Sequence, residues 1–232
     1  MKYMGSKARH AKEILPIILA NRKQDQWYVE PFVGGANVID KICGNRMGSD
    51  ANSDLIILLK AMALDDYWIP PYNVSEEEYK SARNFPASVR KSYIGFGLSY
   101  GGKWFGGYRR DSIGKRNYSF EAYKNHMVQA PMLRGVEFLC SDYKKLIIPK
   151  GSIIYCAPPY AGTTKYATGG FNHVDFWKWC DDKHDEGHEI FVSEYFAPDN
   201  WECVWEKKVN SSLTKNTGLK HGVERLFKRV RT

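Results

Sequence analysis

No apolar run in this 232-residue chain is long enough to cross a bilayer or serve as a signal peptide; the stretch 14–20 is short and interrupted by Pro16. Cysteine is sparse. Cys43, Cys140, Cys156, Cys180 and Cys203 are odd in number and contain no Cys-x-x-Cys pair, which argues against a disulfide framework and for a reducing, cytoplasmic setting. Cys180, His184 and His188 stand four apart, but they sit in a charged run with Gly187 ending the helix before His188, so no metal site is expected. Internal repeats and low-complexity tracts are absent. So is the G-x-G-x-x-G spacing that places a pyrophosphate on a dinucleotide-binding helix.

What is present describes a globular protein. A hydrophobic content of 43% with 26% charged residues supplies a core for one large domain or a core plus a smaller unit. The net charge of +8 is unevenly spread: residues 101–118 carry +4 and residues 207–232 carry +7, so the remainder is net negative. Concentrated positive charge suits a polyanion-binding face, or a solvated basic surface.

The element pattern opens as an α/β protein. Helical character over 6–14 precedes a second helical piece beginning at Pro16, then a buried strand at 27–30. The turn 31–37 passes into a helix running to about Cys43; a strand at 46–49 ends on Asp50, and an apolar helix covers 52–64. This is the start of a doubly wound, Rossmann-like sheet. The alternation then fails. Ser75-Glu76-Glu77-Glu78 is a capping box, residues 87–98 and 120–133 read as helices, and the stretch between them has no apolar period. Residues 67–133 are therefore expected to form an inserted, mainly helical subdomain within a core of 1–66 and 134–232. Strands resume at 136–140, 152–156 and 189–194, with a helix at 173–183 and a final strand pair at 203–209 and 225–230.

Three places carry chemistry. The run Ile153-Ile154-Tyr155-Cys156 ends in Ala157-Pro158-Pro159-Tyr160, and neither proline can donate to a sheet ladder, so the strand stops with a tyrosine at its carboxyl end. Ligands of open α/β sheets bind at such ends. Phe32-Val33-Gly34-Gly35 lets backbone approach a ligand closely after the first strand. Asp50, at the end of the next strand, reads as a helix cap or as an acceptor for ribose hydroxyls. Turn and acid together imply a nucleoside without a pyrophosphate, a description that S-adenosylmethionine fits.

In this order the motifs resemble the Dam-type (D12) DNA adenine-N6 methyltransferases. Lys2-Tyr3-Met4-Gly5-Ser6-Lys7 is similar to the family's N-terminal segment, Glu30-Pro31-Phe32-Val33-Gly34-Gly35 to its methionine-binding turn, and Asp50-Ala51-Asn52-Ser53-Asp54-Leu55 to its ribose-binding strand end. Phe138-Leu139-Cys140-Ser141-Asp142-Tyr143 resembles its adenine-contacting segment, and Pro158-Pro159-Tyr160 its catalytic motif D-P-P-Y. The resemblance implies S-adenosylmethionine as methyl donor, held by Tyr3, Lys7, Phe32, Gly34, Gly35, Asp50, Asp142 and Tyr143. It implies a flipped adenine as acceptor, placed at Ala157, Pro158 and Tyr160. In the family, the motif carboxylate and the first proline's carbonyl accept both hydrogens of the N6 amine. Ala157 has no acceptor in its side chain, so this chain is expected to be a crippled methyltransferase, through an inactivating substitution or as a natural DNA-binding module that kept the fold.

Duplex DNA is the expected partner, bound by a monomer. The loop 99–118 joins glycines to basic and aromatic residues, and Lys103, Trp104, Tyr108, Arg109, Arg110, Lys115 and Arg116 are the expected DNA contacts. For any single aromatic in it, packing beneath the loop is the competing role.

Overall fold

The computed structural model describes residues 1–64, 68–160, 171–209 and 222–230. The Gly/Thr-rich segment 161–170, and Lys215, Lys220 and Arg231 of the basic C-terminal window, lie outside them. The first helix, α1 (Ala11–Ile18), is one piece with Pro16 inside it, not two pieces. Its buried stripe of Ala11, Ile14, Leu15 and Ile18 holds it to the core. Pro16 is exposed, and the carbonyl it leaves unbonded belongs to Lys12, also exposed, where water replaces the missing bond.

Strands β1 (Tyr28–Glu30), β2 (Arg46–Asp50), β3 (Val136–Cys140), β4 (Ile153–Cys156), β5 (Glu189–Glu194), β6 (Trp201–Val209) and β7 (Gly222–Arg229) form one sheet in the order β3-β2-β1-β4-β5-β7-β6. The first five are parallel; β7 is antiparallel to both of its neighbours. The chain builds outward from β1 to β3, then returns to start again at β4. The order therefore reverses between β1 and β4, where Tyr28 faces Ile153 and Val29 faces Ile154. A crevice opens at the carboxyl ends of strands at such a point. This is a doubly wound, Rossmann-like sheet with an antiparallel edge pair.

The turn after β1 departs from expectation. It does not become a helix to Cys43 but passes through Gly34 (φ 49°) and Ala36 (φ 55°) to a single 3-10 turn, Ile39–Lys41. Two consecutive helical turns cannot contain those positive φ values. The Gln129 amide takes the carbonyls of Gly35 and Ala36, at 3.0 and 3.1 Å, and the Ala36 carbonyl also accepts from Asp40 N–H at 3.3 Å.

Helix α2 (Ser53–Leu64) covers one face of the sheet. The insertion that follows contributes α3 (Glu76–Ala82), α4 (Val89–Gly97) and α5 (Tyr118–Gln129). Each starts on a side-chain cap: Ser75 accepts from Glu78 N–H at 3.1 Å, Ser88 from Lys91 N–H at 3.2 Å and Asn117 from Phe120 N–H at 2.9 Å. Tyr79, Tyr93, Ile94 and Phe96 of the insertion share one apolar cluster with Leu55, Leu58 and Leu59 of α2 and with Tyr28 of the sheet. The insertion therefore rests on the same core as the sheet. On the other face, α6 (His173–Asp185) packs Phe176, Trp179 and Cys180 against Val29, Ile154 and Val192.

Candidate active site

Adjacent strands deliver the predicted residues to one edge in a row: the Gly turn after β1, Asp50 at the end of β2, Asp142 and Tyr143 after β3, and residues 157–160 after β4. Asp50 holds the turn in place. Its Oδ2 accepts from Gly34 N–H at 3.2 Å and its Oδ1 from Asn52 N–H at 3.0 Å. Burial pushes its carboxyl up, and these backbone N–H groups pull the other way. A carboxylate has about four lone-pair sites, so two bonds leave capacity for hydroxyl donors. Cap and ligand acceptor are compatible here; the helix cap of α2 is Asn52, whose Oδ1 takes Leu55 N–H at 3.2 Å.

The N-terminal segment lies across the turn. A Cβ added at Gly34 would stand 3.1 Å from the Tyr3 ring, and one at Gly35 would stand 2.7 Å from Tyr3 Cβ. On the far side, a Cβ on Gly102 of the insertion would stand 2.7 Å from the Tyr3 backbone. Any side chain at these positions would expel Tyr3, which also meets Phe96 at 5.6 Å between ring centroids. Phe32 points the other way, into an aromatic group with Tyr143 at 5.1 Å and Phe176 at 5.6 Å. Burial pushes the Tyr143 hydroxyl up to about 12. Asp142 caps its own turn, accepting from Lys144 N–H at 2.8 Å.

At the end of β4, Ala157 is half-buried against the core and Pro158 is buried. Tyr160 is the centre of a polar cluster that the sequence does not announce. Its hydroxyl donates to Glu224 Oε2 at 2.6 Å, and the same oxygen takes Lys7 Nζ at 2.9 Å. The Lys7 ammonium also sits 3.9 Å above the Tyr160 ring, a cation–π contact, while Tyr195 meets that ring edge-on at 4.6 Å. Burial lowers the Lys7 ammonium and Glu224 opposes the shift; burial, then Glu224, raises the Tyr160 phenol. Glu194, at the end of β5, acts electrostatically on both. Lys7 and Tyr160 are thus brought together, by two carboxylates from β5 and β7 that sequence reasoning missed. The one available signal was Glu224, the single acid in the basic window 207–232.

The basic loop is more inward-facing than its composition suggests. Trp104 packs on Phe96 at 4.7 Å and on Phe105 at 4.8 Å, and Tyr108 is half-buried with its hydroxyl donating to Val74 O at 2.6 Å. The Arg109 side chain is only 8% exposed, lying over Tyr118 at 4.1 Å and near Glu121 at 3.8 Å. Lys103 is half-buried and Lys115 exposed, and neither has an ion-pair partner among the described residues. Arg110 and Arg116 reach solvent but hold Glu76 and Glu121 at 2.7 Å. In the C-terminal window Lys207, Arg225, Lys228 and Arg229 are paired with Glu13, Glu206, Glu189 and Asp181. Much of the positive charge in both windows is thus locally offset. Among the described residues no group of three His, Cys, Asp or Glu side chains could hold a metal ion, and no helix is long and apolar enough to cross a membrane.

Comparison with known proteins matches a family model, D12 class N6 adenine-specific DNA methyltransferase, to residues 3–94. The DNA adenine methylase of Haemophilus influenzae is 32% identical over 185 aligned positions. The chain is similar to the D12 family over that region. The matched region takes in Tyr3, Lys7, the Gly turn and Asp50; residues 157–160 lie beyond it. The alignment with the Haemophilus methylase covers 69% of this chain and 63% of that protein, so the chain spans somewhat less than two thirds of its length. The Retron Ec67 DNA adenine methylase of Escherichia coli is 24% identical over 222 positions, with 83% of this chain and 75% of that protein covered. Among solved structures, the putative methyltransferase yhhF from Escherichia coli gives a TM-score of 0.41 at 11% identity over 97% of this chain and 86% of that one.

Proposed function

We propose that this chain binds S-adenosylmethionine at the carboxyl edge of β1, β2 and β3, binds duplex DNA along the insertion, and receives a flipped adenine at Tyr160. We further propose that Ala157 leaves it slow at N6 methylation. The observation that carries this reading is the meeting, across one sheet reversal, of the Gly34–Asp50 cradle with Pro158 and Tyr160. Two features support the donor: a glycine turn packed closely under Tyr3 and a buried carboxylate with acceptor capacity left. When bound, it supplies an electrophilic methyl group. In this reading Asp50 accepts its ribose hydroxyls, Tyr3, Phe32, Gly34 and Gly35 shape its amino-acid end with Lys7, and Asp142 and Tyr143 border its base.

On the acceptor side, the Pro158 carbonyl takes one hydrogen of the adenine amine and Tyr160 offers its ring for stacking. The second amine hydrogen meets the methyl group of Ala157, so the nitrogen lacks one of two partners for its developing positive charge. Lys7 stands over one face of Tyr160, so a base stacking on that face displaces it.

Isothermal titration tests the donor site. Asp50→Ala is expected to weaken S-adenosylmethionine binding about 10- to 100-fold, the range of hydrogen bonds to a charged group. Unchanged affinity would remove Asp50 from the site. For DNA, Arg110, Lys115 and Arg116 are the outward cations of the loop, with Lys103, Trp104, Tyr108 and Arg109 supporting or joining them. Replacing Arg110, Lys115 and Arg116 together by Ala is expected to reduce the slope of log affinity against log salt by about 2–3. A slope equal to the parent's would place the DNA elsewhere.

A further inference from the structure

Lys7 reaches from the turn after β1 to the ring after β4. The N-terminal segment is pinned to that turn: Tyr3 lies over Gly34 and Gly35, and Ser6 Oγ accepts from Asn37 Nδ2 at 2.9 Å. Lys7 therefore starts beside the turn, yet its ammonium ends 3.9 Å above the Tyr160 ring. Glu224 holds it there, with one carboxylate oxygen taking Lys7 Nζ at 2.9 Å and the Tyr160 O–H at 2.6 Å. Both charges are withdrawn from water, the side chains being 10% and 13% exposed. A buried ion pair is a poor source of stability, because its attraction barely repays the desolvation of two charges. Stability alone does not explain a pair that covers the ring offered for stacking.

We propose that Glu224 is a positioning residue that holds Lys7 over Tyr160 in competition with the carboxylate of the methyl donor, so that donor binding clears the ring face for the base. The inference rests on the proposed methyltransferase reading and deepens it by tying the donor's site to the acceptor's. Lysine suits the part. An ammonium on a flexible four-carbon stem can exchange one carboxylate for another by rotation about its own bonds, leaving the backbone held by Ser6 and Asn37 in place. Glu224 keeps the Tyr160 O–H when the ammonium turns away, so the ring stays oriented. A base that stacks then no longer has to displace the cation itself, and by linkage each ligand favours the other.

Slow turnover makes the test a binding measurement, and it separates the donor's carboxylate from its nucleoside. S-adenosylhomocysteine and methylthioadenosine share the nucleoside and the thioether sulfur; only the first carries the amino-acid end. With one or the other saturating the full chain, dAMP is titrated calorimetrically. The parent is expected to bind dAMP about tenfold more tightly with S-adenosylhomocysteine, an ordinary size for coupling between two sites. Lys7→Ala combined with Glu224→Gln leaves no unpaired charge and keeps an acceptor for Tyr160. This double variant is expected to bind dAMP with either compound to within about twofold, the coupling being gone. A parent that binds dAMP equally with both, or a double variant that keeps the difference, overturns the inference; should the double variant not fold, the parent decides. A chain that binds S-adenosylhomocysteine and dAMP without coupling refutes the role of Lys7 and Glu224 alone. One that binds no S-adenosylhomocysteine, or no dAMP, refutes the proposed site itself and the coupling with it.

Discussion

Ala157→Asp is expected to raise methyl transfer from labelled S-adenosylmethionine to DNA by about 10²–10³-fold, the effect of restoring one preorganised charge-stabilising partner. The lone pair of the adenine amine is delocalised into its ring, so the nitrogen attacks well only when both hydrogens are held and its positive charge is met as it forms. In the present chain Pro158 offers one carbonyl and position 157 offers a methyl group. The surroundings suit a returning carboxylate: Lys7 supplies a cation on Tyr160, and its partner Glu224 is already committed to Lys7 and the Tyr160 hydroxyl. The gain should appear in the rate of a single turnover, with donor and DNA affinities within a few-fold of the parent's. If the aspartate variant methylates no faster on DNA of varied sequence, the chain is a DNA-binding module whose fold has lost this chemistry altogether, or its acceptor is not adenine.

Glu30→Gln is expected to make the protein more stable than the parent at pH 8 and indistinguishable from it near pH 4.5. Glu30 ends β1 with its side chain in the core, 3% exposed, accepting from Tyr28 O–H at 2.9 Å. Burial pushes its carboxyl up to about 8, against the Tyr28 bond and the Ile39 N–H, which pull it down. Below pH 4.5 folded and unfolded chains both hold the proton. Between there and about 8 the unfolded chain releases it and the folded chain keeps it, so rising pH favours unfolding by about 1.4 kcal/mol per unit, roughly 5 kcal/mol in all. Glutamine keeps an acceptor for Tyr28 and has nothing to release. Urea denaturation of both proteins at pH 5 and pH 8 reads the difference directly; parallel pH profiles would show that Glu30 ionises freely in the folded chain.

Most of the fold was legible because its signals are local. The capping serine at Ser75, the apolar run of α2 and the prolines after β4 each act within a few residues, and the elements stand where those signals put them. The failures have a common cause in distant partners. The turn after Gly34 reads as a helix until Gln129, from α5, captures its carbonyls. Pro16 reads as a helix start because the sequence does not say that its face of α1 meets water. The inward lean of Arg109 onto Tyr118 and toward Glu121 was likewise beyond local reading. At the site, the residues contributed by β1, β2 and β4 could be named from short motifs. Glu224 could not, since it matters only because β7 inserts between β5 and β6.

That insertion has a temporal side. The bond from Lys7 to Glu224 spans 217 residues, nearly the whole chain, and closing so long a loop is entropically the most demanding step in the cluster. A ribosome delivers the N-terminal part first, so the turn after β1, Tyr3 and the insertion can all be in place while Lys7 still waits for its carboxylate. Residue 7 is made 217 residues ahead of residue 224, and its environment is completed only when that later residue arrives.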